Sequence, residues 1–237
     1  MIAALIIPAR NEEACISDVI REAALYFLGP IIVADNGSTD DTAARATEAG
    51  AMVVLEPRPG YGRACNAGAA AAPPETEVFV FMDGDGSDRP EDIPALLSAI
   101  EAGAVLALGV RRGQGVEAGS IAPAARFGNW LSGTLIGVFW GRRLRDLSPL
   151  KAIRANAFAA LQLREETYGW TVEMLAKAAA RGLVIREVRA GYRHRRGGVS
   201  KVSGDLRASV RAGTRILATI ARTARHEHPR WPRRPKI

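Results

Sequence analysis

Over the first 110 residues, short apolar runs alternate with segments whose apolar residues recur at three- and four-residue steps. That rhythm belongs to a mostly parallel sheet with helices covering both faces. Residues 3–8, 31–34, 52–56, 78–82 and 105–110 read as strands, with helices between them over 15–28, 41–49, 62–72 and 90–102. Asp40 is placed to cap the second helix. Pro90 suits the opening turn of the last, where Glu91 and Asp92 favour the dipole. The rhythm then breaks into a Gly/Arg loop over 111–119, a helix over 123–139, a short segment DLSPLKAIR, a helix over 171–180 and a β-like run over 184–192. A final helix is expected over 205–225. Leu206, Val210, Leu217, Ile220 and Ala224 share one of its faces, and Arg207, Arg211, Arg215 and Arg222 another. The fold class is therefore α/β: one domain over 1–204, and a basic amphipathic helix with a tail over 205–237.

Composition narrows this. With 48% hydrophobic residues in 237, the chain has the core of a folded protein and excludes disorder, collagen and disulfide scaffolds. Cys15 and Cys65 fit no metal or redox spacing and read as buried thiols in a reducing compartment. The N-terminus reads as a strand, not a leader. Residues 130–140 are too few to span a bilayer. The formal charge of +7 resides wholly in 205–237, where nine Lys/Arg face only Asp205 and Glu227. A balanced body with a basic appendage argues against nucleic acid as partner. It leaves two roles for 205–225, docking on the domain or contact with a membrane surface.

Four polar constellations follow predicted strands. VFVFMDGDGSDRPED delivers Asp83 and Asp85 at the carboxyl end of a strand, where open α/β sheets bind ligands and where paired carboxylates suit a hard divalent cation. IIPARNEE sets Pro8, Arg10 and Glu12 on the loop leaving the first strand, and IIVADNGSTDDT sets Asp35 at the end of the second. RPGYGRACNAG carries Gly60 and Gly62, but Cys65 stands where a dinucleotide fingerprint needs glycine, and the motif follows the third strand rather than the first. A glycine turn opening a helix still brings backbone amides toward phosphate or ribose.

Together, in this order and spacing, PARNEE, VADNGSTDDT, GYGRACNAG and MDGDGSDRPED resemble the family 2 glycosyltransferases of GT-A fold, near the dolichol-phosphate mannose and polyprenyl-phosphate glucose synthases. The resemblance covers roughly residues 3–203. It implies a Rossmann-like sheet, a nucleotide-diphospho-sugar donor such as a UDP- or GDP-hexose, a Mg or Mn ion and inversion at the anomeric carbon. Carried over, it makes Pro8, Arg10 and Glu12 the first nucleotide loop, Asp35 the base-reading carboxylate, and Asp83 and Asp85 the metal pair. Ser87 stands where these enzymes commonly carry Gln, leaving water or Asp88 to complete the metal shell. Arg111 in ALGVRR and Arg126 in AARFGNW are implied at an acceptor phosphate. The family's Ser-Gly-Phe-Arg segment appears in DLSPLKAIR with Pro149 for Gly and Lys151 for Arg. YRHRRGGVSKVSG matches a basic loop closing over donor phosphates, through Arg195, Ser200 and Lys201.

The acceptor stays open at this point. A lipid phosphate is already ionised and attacks unaided, whereas a small hydroxyl acceptor needs a carboxylate base, for which Asp146 and Glu173 are the candidates. Tyr168 and Trp170 flank Gly169 in a manner suited to an acceptor cleft. A polyprenyl phosphate implies a cytoplasmic enzyme at the inner face of a membrane, in peripheral contact through 205–225 or 130–140. Sugar nucleotidyl transfer is the competing chemistry, though PARNEE lacks the glycine-rich loop it uses. A non-enzymatic tether would require a broken site, and Asp35, Asp83 and Asp85 are all present.

Overall fold

The computed structural model describes residues 1–197 and 206–227, with the side chains of the final helix described from residue 213 onward. Among the described residues, seven strands form one sheet: β1 (Ala3–Ala9), β2 (Ile31–Asp35), β3 (Met52–Leu55), β4 (Val78–Phe81), β5 (Leu106–Val116), β6 (Lys151–Arg154) and β7 (Ile185–Tyr192). Their order is β3-β2-β1-β4-β6-β5-β7. β6 runs antiparallel to both of its neighbours, and the other pairings are parallel. Six carboxyl ends therefore open on one edge, and the amino end of β6 joins them, with Lys151 opposite Phe81.

The described residues also form eight helices: α1 (Ile16–Ala24), α2 (Thr42–Glu48), α3 (Tyr61–Ala70), α4 (Ile93–Glu101), α5 (Pro123–Trp140), α6 (Ala155–Leu161), α7 (Trp170–Ala180) and α8 (Leu206–His226). The strands alternate between two apolar cores. Leu5, Ile7, Val80 and Ala107 meet α1, α2 and α4 on one face. Ile6, Phe79, Phe81 and Leu108 meet α3, α5, α6 and α7 on the other. Burial on both faces explains why the strands read as continuous apolar runs. β6 and α6 lie within DLSPLKAIR and the stretch after it, which carried no element signal. Residues 90–92 form a 3-10 turn leading into α4.

α8 docks on α5 and α7. Its buried face is Thr219, Ile220 and Thr223, while Leu217, expected on the apolar face, is exposed. Arg215 and Arg222, expected in solvent, reach the buried carboxylate of Glu165 at 2.8 and 3.5 Å. Arg181, just past the end of α7, pairs with Glu227 just past the end of α8. The docking face is therefore rotated from the one that hydrophobic periodicity selects, because buried Glu165 recruits arginines and threonines. No described helix is long and apolar enough to cross a membrane.

Candidate active site

The loop leaving β1 is held by polar stitching to the loop after β2. Asn11 takes a left-handed φ of 52°. Its N–H donates to Ser38 Oγ at 3.0 Å and its Oδ1 accepts from Thr39 N–H at 2.9 Å. Glu12 N–H donates to Thr42 Oγ1 at 2.8 Å, and Asp40 accepts the Thr42 N–H at 3.1 Å from one position before the N-cap, which is Asp41 and not the expected Asp40. These bonds turn Pro8, Arg10 and Glu12 into the wall of a cleft of about 460 Å³.

Asp83, Gly84 and Asp85 form the opposite wall. Gly84 passes so close to β1 that a side chain would sit 3.3 Å from Ile7 Cγ2 and the Pro8 carbonyl, and Gly86 has a φ of 75°. Glycine at 84 and 86 thus suits the close backbone approach and the left-handed φ beside the two carboxylates. The Tyr61 hydroxyl donates to Asp83 Oδ1 at 3.1 Å, and Asp88 Oδ2 accepts the Asp83 N–H at 3.0 Å. Ser87 donates its N–H and its hydroxyl to Asp85 Oδ1 at 2.9 and 2.6 Å, so it orients this carboxylate.

Negative charge is crowded here. Burial, and then the charge of Asp85, push the Asp83 carboxyl up to about 6. Burial and Asp83 likewise raise Asp88, whose Oδ1 is buried without a hydrogen-bond partner. Arg195 offsets part of this charge, placing Nη2 3.2 Å from Glu12 and 3.3 Å from Asp85. The strand end carrying it is sewn to the same loop: Arg193 N–H donates to Ser87 O at 2.9 Å and Arg196 N–H to Asp85 O at 3.0 Å. Behind the wall, Cys15 lies buried against Glu12 and Gly84, and burial raises its thiol to about 11, so it stays protonated and inert.

Several residues were silent in the sequence. Tyr192 and Thr167 line the cleft along with Asn36 and Tyr61. Asn36 spans the second loop, donating to the carbonyls of Glu56 and Arg58 at 3.0 and 2.8 Å and accepting from Gly60 N–H at 2.7 Å. Only its place beside Asp35 hinted at this. Asp35 itself is buried at the end of β2 and accepts the Ser38 hydroxyl and N–H. Gly60 and Gly62 serve packing: a side chain on either would come within 2.3 Å of the Glu166 or Glu165 carbonyl. Tyr168 lines the cleft, whereas Trp170 is fully buried core.

Beyond Tyr192 lies a second groove of about 370 Å³, lined by Arg111, Arg112, Arg126, Asn129, Trp130 and Asp146 among others. The Arg111 guanidinium stacks 4.8 Å from the Tyr192 ring centroid and forks onto Asp146 at 2.8 and 2.7 Å. Burial opposes the guanidinium charge, but Asp146 overrides it and holds Arg111 the more firmly protonated. Asp146 also accepts from Arg111 N–H, Asn129 and Leu147 N–H at 2.9, 2.8 and 2.8 Å. Two expectations change. Asp146 is saturated by donors and has no lone pair turned toward an incoming hydroxyl, so its geometry opposes a role as base. Arg111 is turned onto Asp146 instead of outward, which leaves Arg112, Arg126 and Arg145 as the exposed cations of the groove, with Arg145 3.8 Å from Glu187 and Glu117 the exposed carboxylate beside them.

Glu173 is corrected as well. It is buried on the far side of α7, pairing with Lys177 at 2.8 Å and accepting the N–H groups of Arg164 and Glu165 at 2.9 and 2.7 Å, and it does not line the cleft. Lys151 is buried beneath the site, donating to Pro149 O at 2.8 Å and lying 5.5 Å from the Trp170 ring. Ser200 and Lys201 lie outside the described residues.

Residues 4–164 match the family described as glycosyl transferase family 2. An uncharacterised glycosyltransferase of Mycobacterium tuberculosis, Rv0539, is 38% identical over 214 residues, which is 87% of this chain and 92% of that one. Undecaprenyl-phosphate mannosyltransferase of Micrococcus luteus is 31% identical over 187 residues, covering 74% and 76% of the two chains. Among solved structures, glucosyl-3-phosphoglycerate synthase of Mycobacterium tuberculosis, crystallised with Mn2+, UDP-glucose and phosphoglyceric acid, superposes with a TM-score of 0.74 at 26% identity, over 93% of this chain and 79% of that one.

Proposed function

Because this chain belongs to glycosyl transferase family 2 and so draws on a nucleotide sugar, we propose that it transfers a hexose, with inversion, to a phosphate oxygen of a polyprenyl phosphate. The donor lies in the cleft between Pro8, Arg10 and Glu12 on one side and Asp83 and Asp85 on the other. The acceptor phosphate lies in the groove beyond Tyr192. The carrying observation is the state of the groove: Arg112 and Arg126 line it without an ion pair among the described residues, Arg145 and Glu117 face it paired with Glu187 and Arg89, and Asp146 is consumed by Arg111 and Asn129. Guanidinium forks suit a phosphate, which is ionised at neutral pH and needs no base. The Micrococcus enzyme, named for an undecaprenyl-phosphate acceptor, supports the same reading.

A divalent cation fits the cleft. Asp83 and Asp85 would hold it, and the partnerless Asp88 oxygen and raised Asp83 mark negative charge that the protein's own groups leave unbalanced. The described residues form no cage of three or more ligands, which suits an ion completed by water and donor phosphates. Such an ion supplies charge neutralisation to the departing diphosphate. The chain's own part is to fix the donor between the β1 and β4 loops, to place Arg195 where negative charge develops, and to exclude water with Tyr61, Tyr168 and Tyr192.

The related synthase crystallised with phosphoglyceric acid favours a second reading, a small phosphorylated acceptor in the same groove. The test is a thermal-shift panel of UDP-, GDP- and dTDP-sugars with and without Mn2+, repeated on Asp85→Ala, followed by turnover with a short-chain polyprenyl phosphate or with 3-phosphoglycerate. Metal-dependent stabilisation by one donor, lost in the variant, and product from the lipid phosphate are expected. Product from phosphoglycerate alone would replace the lipid reading, and no shift with any donor would overturn the donor assignment.

A further inference from the structure

α5 is anchored through Ser132, Gly133 and Ile136, all buried. On the opposite side of the helix, Phe127, Trp130 and Val138 stand 61%, 52% and 74% exposed. Separated by three, eight and eleven residues, they fall within about 80° of one another around the helix at 3.6 residues per turn, on one stripe. Phe127 and Trp130 lie ring to ring at 5.8 Å, so the stripe presents a contiguous aromatic surface. An apolar surface of this kind on a folded domain marks an interaction site. The α5 segment, PAARFGNWLSGTLIGVFW, contains no acidic residue. Arg126 on this helix and Arg112 beside it line the groove that also contains Trp130. Arg143 follows the helix, and among the described residues none of these three arginines forms an ion pair.

From this juxtaposition we infer that the outer face of α5, and not α8, is the surface by which the protein rests on an anionic phospholipid bilayer, with the mouth of the acceptor groove at the leaflet. The inference rests on the polyprenyl-phosphate reading, since such an acceptor must be reached where its chain is dissolved. Charge selects the occupant. A two-fold contact between copies through this stripe would set arginine against arginine with no acid on α5 to relieve it, whereas anionic headgroups complement the arginines while Phe127, Trp130 and Val138 enter the interface. α8 is the poorer surface, because Arg215 and Arg222 are committed to Glu165 and Ile220 is buried against the domain.

The test is co-sedimentation of the full chain with phosphatidylcholine vesicles and with equimolar phosphatidylcholine and phosphatidylglycerol vesicles at low salt. It compares wild type, Phe127→Ser/Val138→Ser, and Leu217→Ser on α8, with the oligomeric state of each measured by analytical ultracentrifugation. Wild type is expected to bind only the anionic vesicles. The α5 double variant should lose about tenfold or more in partitioning while remaining folded, and the α8 variant should stay within about twofold. Absent wild-type binding, unchanged binding of the α5 variant, loss confined to the α8 variant, or a wild-type dimer that the α5 variant dissociates would each overturn the inference. Turnover of a water-soluble short-chain polyprenyl phosphate separates the two claims. Retained turnover without vesicle binding refutes the membrane surface alone, and vesicle binding without such turnover refutes the acceptor alone.

Discussion

Asp146 receives five hydrogen bonds and closes the buried pair with Arg111 that forms the partition between cleft and groove. A carboxylate held this way supports a wall, whereas a general base needs a free lone pair at hydrogen-bond distance from its proton. The two roles separate on Asp146→Asn. The amide keeps the shape but leaves the Arg111 charge without its counterion in a site where both side chains are only 8% exposed. Stability should fall by about 2–4 kcal/mol, read by urea unfolding. Because a wall transfers no proton, any acidic limb of the kcat profile should keep its position. A variant as stable as wild type that loses the acidic limb would restore Asp146 as base. At this scale the sequence disclosed residue types at strand ends but not their partners. Asp83, Asp85 and Arg195 were legible as charges next to punctuation. The pairing of Arg111 with Asp146 across 35 positions was not, since nothing local records it.

Among the elements, α8 is the one whose role changes most between sequence and structure. Its periodicity selected a face through Leu217, yet the buried face carries Thr219 and Thr223, because Glu165 is buried on the loop before α7 and its oxygens require donors. Burial alone would raise the Glu165 carboxyl, but Thr167 and Arg215 outweigh it and hold it below the usual carboxylate range. A carboxyl whose folded value is depressed contributes stability above its unfolded value, and this is lost as pH falls through the folded value. The contact between α8 and the loop before α7 should therefore weaken below the ordinary carboxylate range, read as faster amide exchange in α8 ahead of global unfolding. Glu165→Ala should produce the same release at neutral pH and cost about 1–2 kcal/mol, discounted because Arg215 and Arg222 are half exposed. Exchange in α8 that ignores both pH and the substitution would contradict this account. β6 shows the complementary blindness. KAIR is four residues with a lysine at its start, and it is a strand only because β4 and β5 leave a gap between them that its backbone fills. Parallel strands with helices between them announce themselves, but an antiparallel insertion does not.

Across the molecule, the charge arithmetic set a balanced body against a basic appendage at residue 205, and the packing alters what that boundary means. Thr219 and Ile220 are buried, Gly169 opens α7 so close to α8 that a side chain there would meet Thr219 Oγ1 at 2.6 Å, and the Trp140 indole N–H donates to the Glu227 carbonyl at 3.3 Å. α8 is thus packed against α5 and α7 and is not a detachable tether. If its role were electrostatic attachment alone, ending the chain at residue 205 would leave the transferase intact and abolish only surface binding. Because it is packed there, truncation should uncover apolar area on α5 and α7 and lose the partners of Glu165. Buried side chains of this size contribute about 1.5–3 kcal/mol each, so a loss of several kcal/mol and a fall in Tm of about 10 °C are expected, with dye binding to the newly exposed surface. A truncated chain with wild-type Tm, no dye binding and full turnover of a soluble acceptor would return α8 to the status of an appendage. The distinction governs how the basic residues are to be tested, since removing the helix confounds folding with binding, whereas charge reversal at Arg225, exposed at its end, leaves the docking face in place.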